Sequence, residues 1–323
     1  MPTPVDPESR SPTRPGPGFR SRLAGRHNQN LWQAAFVTPF FCGLAVFVYI
    51  PIVWSAVLSL FEARNTITPT KFVGFANYGR LLNDEAFRSS VGTFIVFALF
   101  IVPLTFVCSL GLALLLNGMP RFQAFFRSAF FLPAACSYVV AAMVWRFTFF
   151  SGARFGMINS VLSGFGSQPV HWLGGENSWY WVALVTLRLW LQTGFYMILF
   201  IAGLNRIPAS TYEAAALDGA TGWRLTRYIT IPQLKATSAA VTMLLVINAF
   251  QAFDEFYNLL GSIGSYPSHA RPPLVFLYLI SLGGSQLDLG VGSAGTMIVT
   301  AIIVVFGLVQ NWVNHRSGAE ERS

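Results

Sequence analysis

The chain has 323 residues, of which 54% are hydrophobic and only 11% are charged. Soluble domains carry about 25% charged residues, so this composition excludes an ordinary soluble protein and indicates one that lies in a lipid bilayer. The net charge of +8 does not indicate nucleic-acid binding, because the basic residues are scattered between apolar runs and form no dense patch with interleaved aromatics. We therefore expect contact with membrane lipid and none with nucleic acid.

Six apolar runs are long enough to cross about 30 Å of hydrocarbon as helices, which takes about 20 residues each. They cover residues 33–60, 91–117, 128–149, 179–203, 237–260 and 292–313. The runs are continuous rather than alternating, so they predict helices and not the strands of a membrane barrel. The predicted fold is an all-α integral membrane protein of about six transmembrane helices.

The segments outside these runs give the domain organisation and the orientation. Residues 1–30 are rich in Pro, Ser, Gly and Arg, a composition typical of a disordered tail. The membrane domain is predicted over residues 31–314, and a second short tail over residues 315–323. Thirteen Lys and Arg residues flank the side that holds both termini, against six on the other side. By the positive-inside rule both termini are cytoplasmic.

The cytoplasmic loop between spans four and five, residues 207–236, has the most informative sequence. Ser210 and Glu213 have the S-x-x-E spacing of a helix capping box. Asp218-Gly219 predicts the end of that short Ala-rich helix, because Gly readily adopts the left-handed conformation. Glu213 has two interpretations, a helix cap alone or a contact with a partner protein.

A second short helix is predicted after this bend. Thr221 is a suitable N-cap for it, and the helix should end before Pro232. The sequence thus predicts two short helices that meet at Gly219 on the cytoplasmic face, a compact projection suited to receive force from a soluble partner. Arg224 and Arg227 in the second helix are candidates for pairing with acidic groups of that partner, although basic cytoplasmic flanks are expected in any case.

The pattern of this loop is similar to that of a known family. In order, it contains Glu213-Ala214-Ala215, Asp218-Gly219-Ala220, Ile229 and Pro232. This pattern resembles the EAA loop of binding-protein-dependent ABC importer permeases. Further matches favour the sugar-type branch: Phe72-Val73-Gly74, Asn77-Tyr78, Phe131-Leu132-Pro133, Trp190, Gly194, Ala202-Gly203-Leu204, Phe253-Asp254 and Gly290. One departure is Gly261–Ser265, where the family usually has a Gly-Gly-Gly-Pro turn.

The resemblance implies a bacterial inner-membrane complex in which this chain is one of two permease subunits, expected to form a heterodimer. Two ATP-binding cassette subunits and an extracytoplasmic solute-binding protein complete it. The implied contacts with the ATPase subunit involve one set of loop residues: Glu213, Ala214, Ala215, Asp218, Gly219, Ala220, Arg224 and Arg227. The implied function is import of a sugar or oligosaccharide, with glycerol-phosphate or a related phosphodiester as the alternative substrate.

Residues for catalysis, metal binding or nucleotide binding are not found in the sequence. A phosphate-binding P-loop needs Gly-Lys-Ser or Gly-Lys-Thr, but the two lysines, Lys71 and Lys235, follow Thr and Leu. Asp254 and Glu255 have no accompanying nucleophile, and the four histidines are widely separated. We therefore expect a non-catalytic subunit without a bound cofactor or metal, with ATP and Mg used by the partner ATPase. A membrane enzyme would need a polar catalytic cluster.

Five residues within or near the spans are candidates for the substrate pathway: Arg188, Trp190, Tyr196, Phe250 and Asp254. Intramembrane charges are costly and usually face a cavity or a partner, so Arg188 predicts either a place in the pathway or a buried ion pair. Arg146 is close enough to a span end to snorkel. The aromatics can stack on sugar rings or face lipid and other helices. A remaining alternative function is an autonomous carrier or channel, which would transport without ATP.

Overall fold

The computed structural model describes residue 33 and residues 35–119, 121–173, 178–261, 270–283 and 287–319. The tail predicted at residues 1–30 lies outside the described residues. Residues 262–265, which belong to the segment where the family usually has a Gly-Gly-Gly-Pro turn, also lie outside them. The chain divides after Ser55 into an N-terminal unit that holds most of the first helix and a second unit that holds the other elements.

The helices are α1 (Ala35–Leu58), α2 (Ala76–Asn83), α3 (Glu85–Asn117), α4 (Gln123–Ala135), α5 (Tyr138–Phe149), α6 (Met157–Gly164), α7 (Tyr180–Leu204), α8 (Ala209–Leu217), α9 (Gly222–Gln233), α10 (Lys235–Phe250), α11 (Asp254–Leu260), α12 (Pro273–Gly283) and α13 (Leu289–Ala319). Two short strands, β1 (Phe61–Glu62) and β2 (Lys71–Phe72), pair antiparallel after α1. The last helix therefore continues into residues 315–319, where a tail was predicted.

The helices confirm the membrane class and give between four and six spans among the described residues. Four of them (α1, α3, α7 and α13) are long and apolar enough to cross a bilayer, and the pairs α4–α5 and α9–α10 bring the total to six if each is one broken span. The pairs bend by 93° and 70°. The third predicted span is thus broken at Cys136–Ser137. The fifth ends at Phe250, and its outer part is the separate helix α11.

Pro51 in α1 and Pro232 in α9 each follow a π-helical turn. A π-helical turn covers Ala45–Tyr49, shortly before Pro51, and another covers Thr226–Thr230, shortly before Pro232. Proline lacks the N–H that an α-helix uses, and the wider π-turn places Pro232 in the first turn of a new helical segment. The prediction that the second loop helix ends before Pro232 is wrong, because α9 runs on to Gln233.

Helix α7 lies at the centre of the second unit, and more than half of its residues are buried. It packs against α3 and α4, and its small residues allow a close approach. A Cβ placed on Gly194 would lie 1.7 Å from the carbonyl oxygen of Phe130 in α4. A Cβ on Gly203 would lie 2.6 Å from the Thr237 hydroxyl in α10. Both glycines therefore set how closely neighbouring helices approach α7.

We expect Gly194→Ala to disrupt the packing of α4 on α7. The added methyl group would overlap backbone atoms of Phe130, which cannot rotate away as a side chain can. The cost is about 3 kcal/mol, so the yield of monodisperse protein in detergent should fall sharply. Gly111→Ala in α3 is the matched control, because a Cβ there meets nothing within 4 Å. Equal yields for the two variants would contradict this packing.

A network of charged groups holds the segment after α1 to the start of α13. The Asp288 carboxylate accepts a hydrogen bond from the Val291 backbone N–H at 3.1 Å and lies 3.3–3.5 Å from Arg80 and Arg64. Both arginine side chains are about 60% exposed. This arrangement is a surface ion-pair network at a helix N-terminus, in which solvent screens the charges.

Candidate coupling loop and intramembrane polar site

The loop between spans four and five forms two short helices joined by a turn at Gly219, which we call the elbow (residues 209–233). Gly219 has φ +73°, a left-handed backbone that residues with a Cβ seldom adopt. Its N–H bonds the carbonyl of Ala216, and the Ala220 N–H bonds the carbonyl of Ala215 at 2.9 Å. This pair of bonds is the Schellman motif that satisfies the last carbonyls of a helix. The break predicted at Asp218-Gly219 is therefore present, with a specific hydrogen-bonded geometry.

The helix starts of the elbow differ from the prediction. Helix α8 is preceded by Pro208 in extended conformation, and neither Ser210 nor Glu213 makes a capping hydrogen bond, so the capping box is wrong. Because the helix already begins at Ala209, Ser210 lies inside its first turn rather than at the N-cap. Thr221 occupies the N-cap position of α9, but its side chain also makes no capping bond. Glu213 is exposed and is left available for a contact outside the chain.

The outer surface of the elbow is apolar with basic groups beside it. Leu217 is 91% exposed, and Trp223 and Tyr228 are each nearly 70% exposed. None of these three was predicted for the ATPase contact. Of the residues that were, Ala215 is buried and Ala220 is half-buried, whereas six are exposed: Glu213, Ala214, Asp218, Gly219, Arg224 and Arg227. Large exposed aromatics on a rigid projection are typical of a protein-binding surface.

Arg188 lies in a buried ion pair, one of the two alternatives that the sequence left open. Its side chain is 3% exposed and donates to the Glu255 carboxylate, which is 2% exposed. A second guanidinium nitrogen donates to the backbone carbonyl of Asn248 at 2.6 Å. The guanidinium also lies over the rings of Phe97 and Tyr138. One side chain of α7 thus binds α10 and α11 and contacts α3 and α5.

Arg146 binds the C-terminal end of α11, the helix whose first turn contains Glu255. It donates to the carbonyls of Asn258 and Gly261, where α11 ends. A cation at the carbonyl end of a helix is favoured by the unsatisfied acceptors and by the helix dipole. The two arginines therefore fix α11, the outer part of the broken fifth span, at both ends.

The other pathway candidates are separated from one another. Tyr196 is 1% exposed inside α7, whereas Trp190 is 42% exposed and packs on Trp145 with ring centroids 5.0 Å apart. Phe250 packs on Phe94 at 4.3 Å, and exposed Asp254 is the first residue of α11. Tyr196 alone lines a polar cavity close to Arg188.

This cavity has a volume of about 230 Å³ and lies between α5, α7 and α10. Its lining residues are Ala134, Tyr138, Leu191, Gln192, Phe195, Tyr196 and Asn248. The Gln192 amide donates to the Tyr138 hydroxyl at 2.8 Å. Sequence reasoning missed Tyr138, Gln192 and Asn248. The available signal is the uncharged amide of Gln192 in the middle of an apolar run.

Comparison with known proteins identifies the family. Residues 109–318, about two thirds of the chain, match the family described as "Binding-protein-dependent transport system inner membrane component". The chain belongs to this family of permeases. The resemblance drawn from the EAA pattern is thereby confirmed, together with the assignment to ABC importers.

Alignments with curated relatives and with solved structures cover most of the permease. It is 32% identical to the arabinooligosaccharides transport system permease protein of Halalkalibacterium halodurans, covering 88% of both chains. It is also 32% identical to the lactose transport system permease protein of Rhizobium radiobacter, over 80% of this chain and 85% of the relative. A bacterial ABC transporter chain described as involved in alginate import superimposes with a TM-score of 0.80 at 22% identity, covering 91% of this chain and 99% of that one. That likeness supports the fold.

As a member of this family, the chain is a multi-pass membrane permease of an ABC importer. The members are transport subunits, and the family match covers the elbow, the ion pair and the polar cavity. These three features are therefore parts of an importer permease. The elbow is the part that reaches outside the membrane helices, and the other two lie within them.

Proposed function

We propose that this permease moves a sugar or oligosaccharide into the cytoplasm, driven by ATP that a separate subunit hydrolyses. The substrate class is supported by the relatives named for lactose and arabinooligosaccharides, which align with 80% and 88% of the chain. Glycerol-phosphate import is the weaker candidate, because the charge of Arg188 is neutralised by Glu255. ATP and Mg belong to the partner ATPase in this proposal, and this chain takes no part in the hydrolysis.

The proposed coupling of transport to ATP hydrolysis rests on the geometry of the elbow. Its bend is held by two backbone hydrogen bonds at Gly219, and its outer surface exposes Leu217, Trp223 and Tyr228. A rigid projection transmits displacement without absorbing it, and exposed aromatics supply contact area with little loss of side-chain entropy. We infer that an ATP-binding cassette subunit receives this surface, with Arg224 and Arg227 facing its acidic groups. Both chain termini lie on the same, cytoplasmic, side.

The proposed complex contains a second permease subunit, two ATP-binding cassette subunits and an extracytoplasmic solute-binding protein. One solved relative is described in complex with a periplasmic protein bound to alginate pentasaccharide, which supports an analogous arrangement here. The complex lies in a bacterial inner membrane. In this arrangement the binding protein delivers the solute on the side opposite the elbow.

The test is uptake by proteoliposomes that contain the complete complex. With the binding protein outside and ATP inside, we expect accumulation of at least one radiolabelled saccharide from a panel of lactose, maltose and arabinooligosaccharides. Uptake should fall to the leakage level without ATP, because in this proposal ATP hydrolysis by the partner subunit drives the transport. Uptake that persists without ATP would indicate a carrier or channel. Accumulation of glycerol 3-phosphate in place of every saccharide would favour the alternative substrate.

A further inference from the structure

We infer that helix α6 is an interfacial helix that inserts an apolar face into the lipid leaflet on the side opposite the elbow. This role is separate from solute import, since it concerns how the permease is held in its bilayer. Helix α6 lies between the third and fourth spans, whereas the elbow follows the fourth. Because one span separates them, they lie on opposite sides of the membrane.

The exposed surface of α6 divides into an apolar side and a polar side. Met157 and Val161 are 50% and 58% exposed and lie four residues apart, so they share one side of the helix. Phe165, which caps the helix and is 85% exposed, extends this row, and we call these three residues the apolar arc. Ser160 and Ser163 are exposed as well, and Ser163 lies about 160° from Val161 at 3.6 residues per turn. A short helix with one apolar and one polar exposed side is typical of the membrane interface.

Asn159 holds the inner side of α6 against the ends of the neighbouring spans. Its side chain is fully buried, donates to the Ser151 carbonyl at 3.2 Å and accepts from the Trp172 indole N–H at 2.9 Å. Ser151 follows the last residue of α5 by two positions, which an extended chain covers in at most about 7 Å. Helix α6 therefore lies close to the membrane surface that the span ends define.

Aromatic residues at the span ends mark the depth of this surface. Trp172 packs on Trp179 with ring centroids 5.9 Å apart, and Trp179, which immediately precedes α7, is 50% exposed. Tryptophan is enriched at the boundary between hydrocarbon and headgroups. Phe147 in the last turn of α5 is 67% exposed and belongs to the apolar surface of that span. The apolar arc thus continues a lipid-facing surface that the spans already provide.

The charges of this segment favour lipid over a protein partner. Residues 150–173 contain no carboxylate and only one arginine, the exposed Arg154. Protein interfaces usually have a rim of charged and polar groups that steers the partner. The ion pairs that the structure describes on this side of the membrane lie elsewhere, where Arg64 and Arg80 contact Asp288. Apolar insertion needs no such rim, and Arg154 is suited to a lipid phosphate beside it.

Fluorescence quenching in lipid nanodiscs measures the depth of each side of α6. The full-length permease carries Cys42→Ala, Cys108→Ala and Cys136→Ala, which remove its three cysteines. Val161→Cys or Ser163→Cys is then added and labelled with the dye NBD. In phosphatidylcholine with doxyl groups near the top of the acyl chains, we expect quenching to be at least about threefold stronger at position 161, because an interfacial apolar face lies about 5–10 Å into the boundary of headgroups and chains.

An aqueous quencher and a protein partner provide the opposing outcomes. Cobalt(II) in the buffer should quench the dye at position 163 more strongly than the dye at position 161. Equal quenching by lipid at the two positions would overturn the interfacial assignment. Purified solute-binding protein is then added. If position 161 is open to cobalt until that protein is present and is shielded afterwards, the apolar arc is a protein-docking surface and the proposal is wrong.

A pair of aspartate variants tests the same face without a label. Val161 and Ser163 are both exposed within the chain, so packing inside the permease predicts equal effects for Val161→Asp and Ser163→Asp. We expect only Val161→Asp to reduce the hydrogen-exchange protection of the α6 amides in nanodiscs, by at least about fivefold, because its carboxylate would have to enter the leaflet boundary. Equal protection in the two variants would contradict insertion.

Discussion

Replacing Gly219 by Val is expected to lower ATP-dependent uptake at least about tenfold while leaving the membrane helices intact. The reason is backbone conformation rather than space, since a Cβ at Gly219 would meet nothing within 4 Å. A β-branched residue at φ +73° costs about 2 kcal/mol. That cost reduces the population of the correctly bent elbow by more than tenfold. The measurement is saccharide uptake by reconstituted vesicles, with complex assembly followed by gel filtration.

Two variants separate coupling from a general effect of a larger side chain. Gly219→Asn should retain most uptake, because Asn tolerates the left-handed conformation better than other residues with a side chain. Gly118→Val provides the matched control, because Gly118 also caps the end of a helix but has φ −79°. Wild-type uptake in Gly219→Val, or equal losses in the Gly118 and Gly219 valine variants, would refute coupling through this bend.

The elbow shows how much of this fold can be read from the sequence. Asp218-Gly219 predicted the break correctly, because a left-handed helix end favours Gly on local grounds alone. The capping-box prediction is wrong because Pro208, two residues before Ser210, occupies the N-cap position, so that Ser210 lies inside the first turn of the helix. The predicted helix end before Pro232 is wrong for a different reason, since a π-turn changes the local hydrogen-bond register and removes the need for the N–H that proline lacks. Neither the earlier helix start nor the π-turn can be read from the spacing of residues.

The membrane interior was less predictable than the loop. Apolar runs predicted where the apolar helices lie and their approximate bounds, because crossing hydrocarbon imposes a length on every helix. The break at Cys136–Ser137 and the partner of Arg188 depend on which helices are neighbours. Glu255 lies 67 residues from Arg188, a separation that no helical periodicity connects. The role of Gly194 likewise becomes clear only when Phe130 of α4 is seen against it.

The second large effect is expected at the Arg188–Glu255 pair. Arg188→Met leaves a carboxylate that is 2% exposed without its cation, and removing one member of a buried pair costs about 3–5 kcal/mol. We expect the thermal midpoint of the detergent-solubilised complex to fall by at least about 6 °C. Glu255→Met should be equally damaging, because it leaves the guanidinium unpaired.

The double variant Arg188→Met/Glu255→Met is expected to recover most of the lost stability. Replacing both charges by apolar side chains of similar volume removes the desolvation cost together with the attraction. The carbonyl of Asn248 would keep its bond from the Gln251 backbone N–H, so that acceptor is not left unsatisfied. A double variant no more stable than either single one would show that the pair acts through more than charge compensation.

The exposed pair Arg64–Asp288 is the control for this cycle. Arg64 is 63% exposed, and its nitrogen lies 3.5 Å from the carboxylate, so Arg64→Met should change stability by less than about 1 kcal/mol. The contrast between the two pairs isolates the effect of burial.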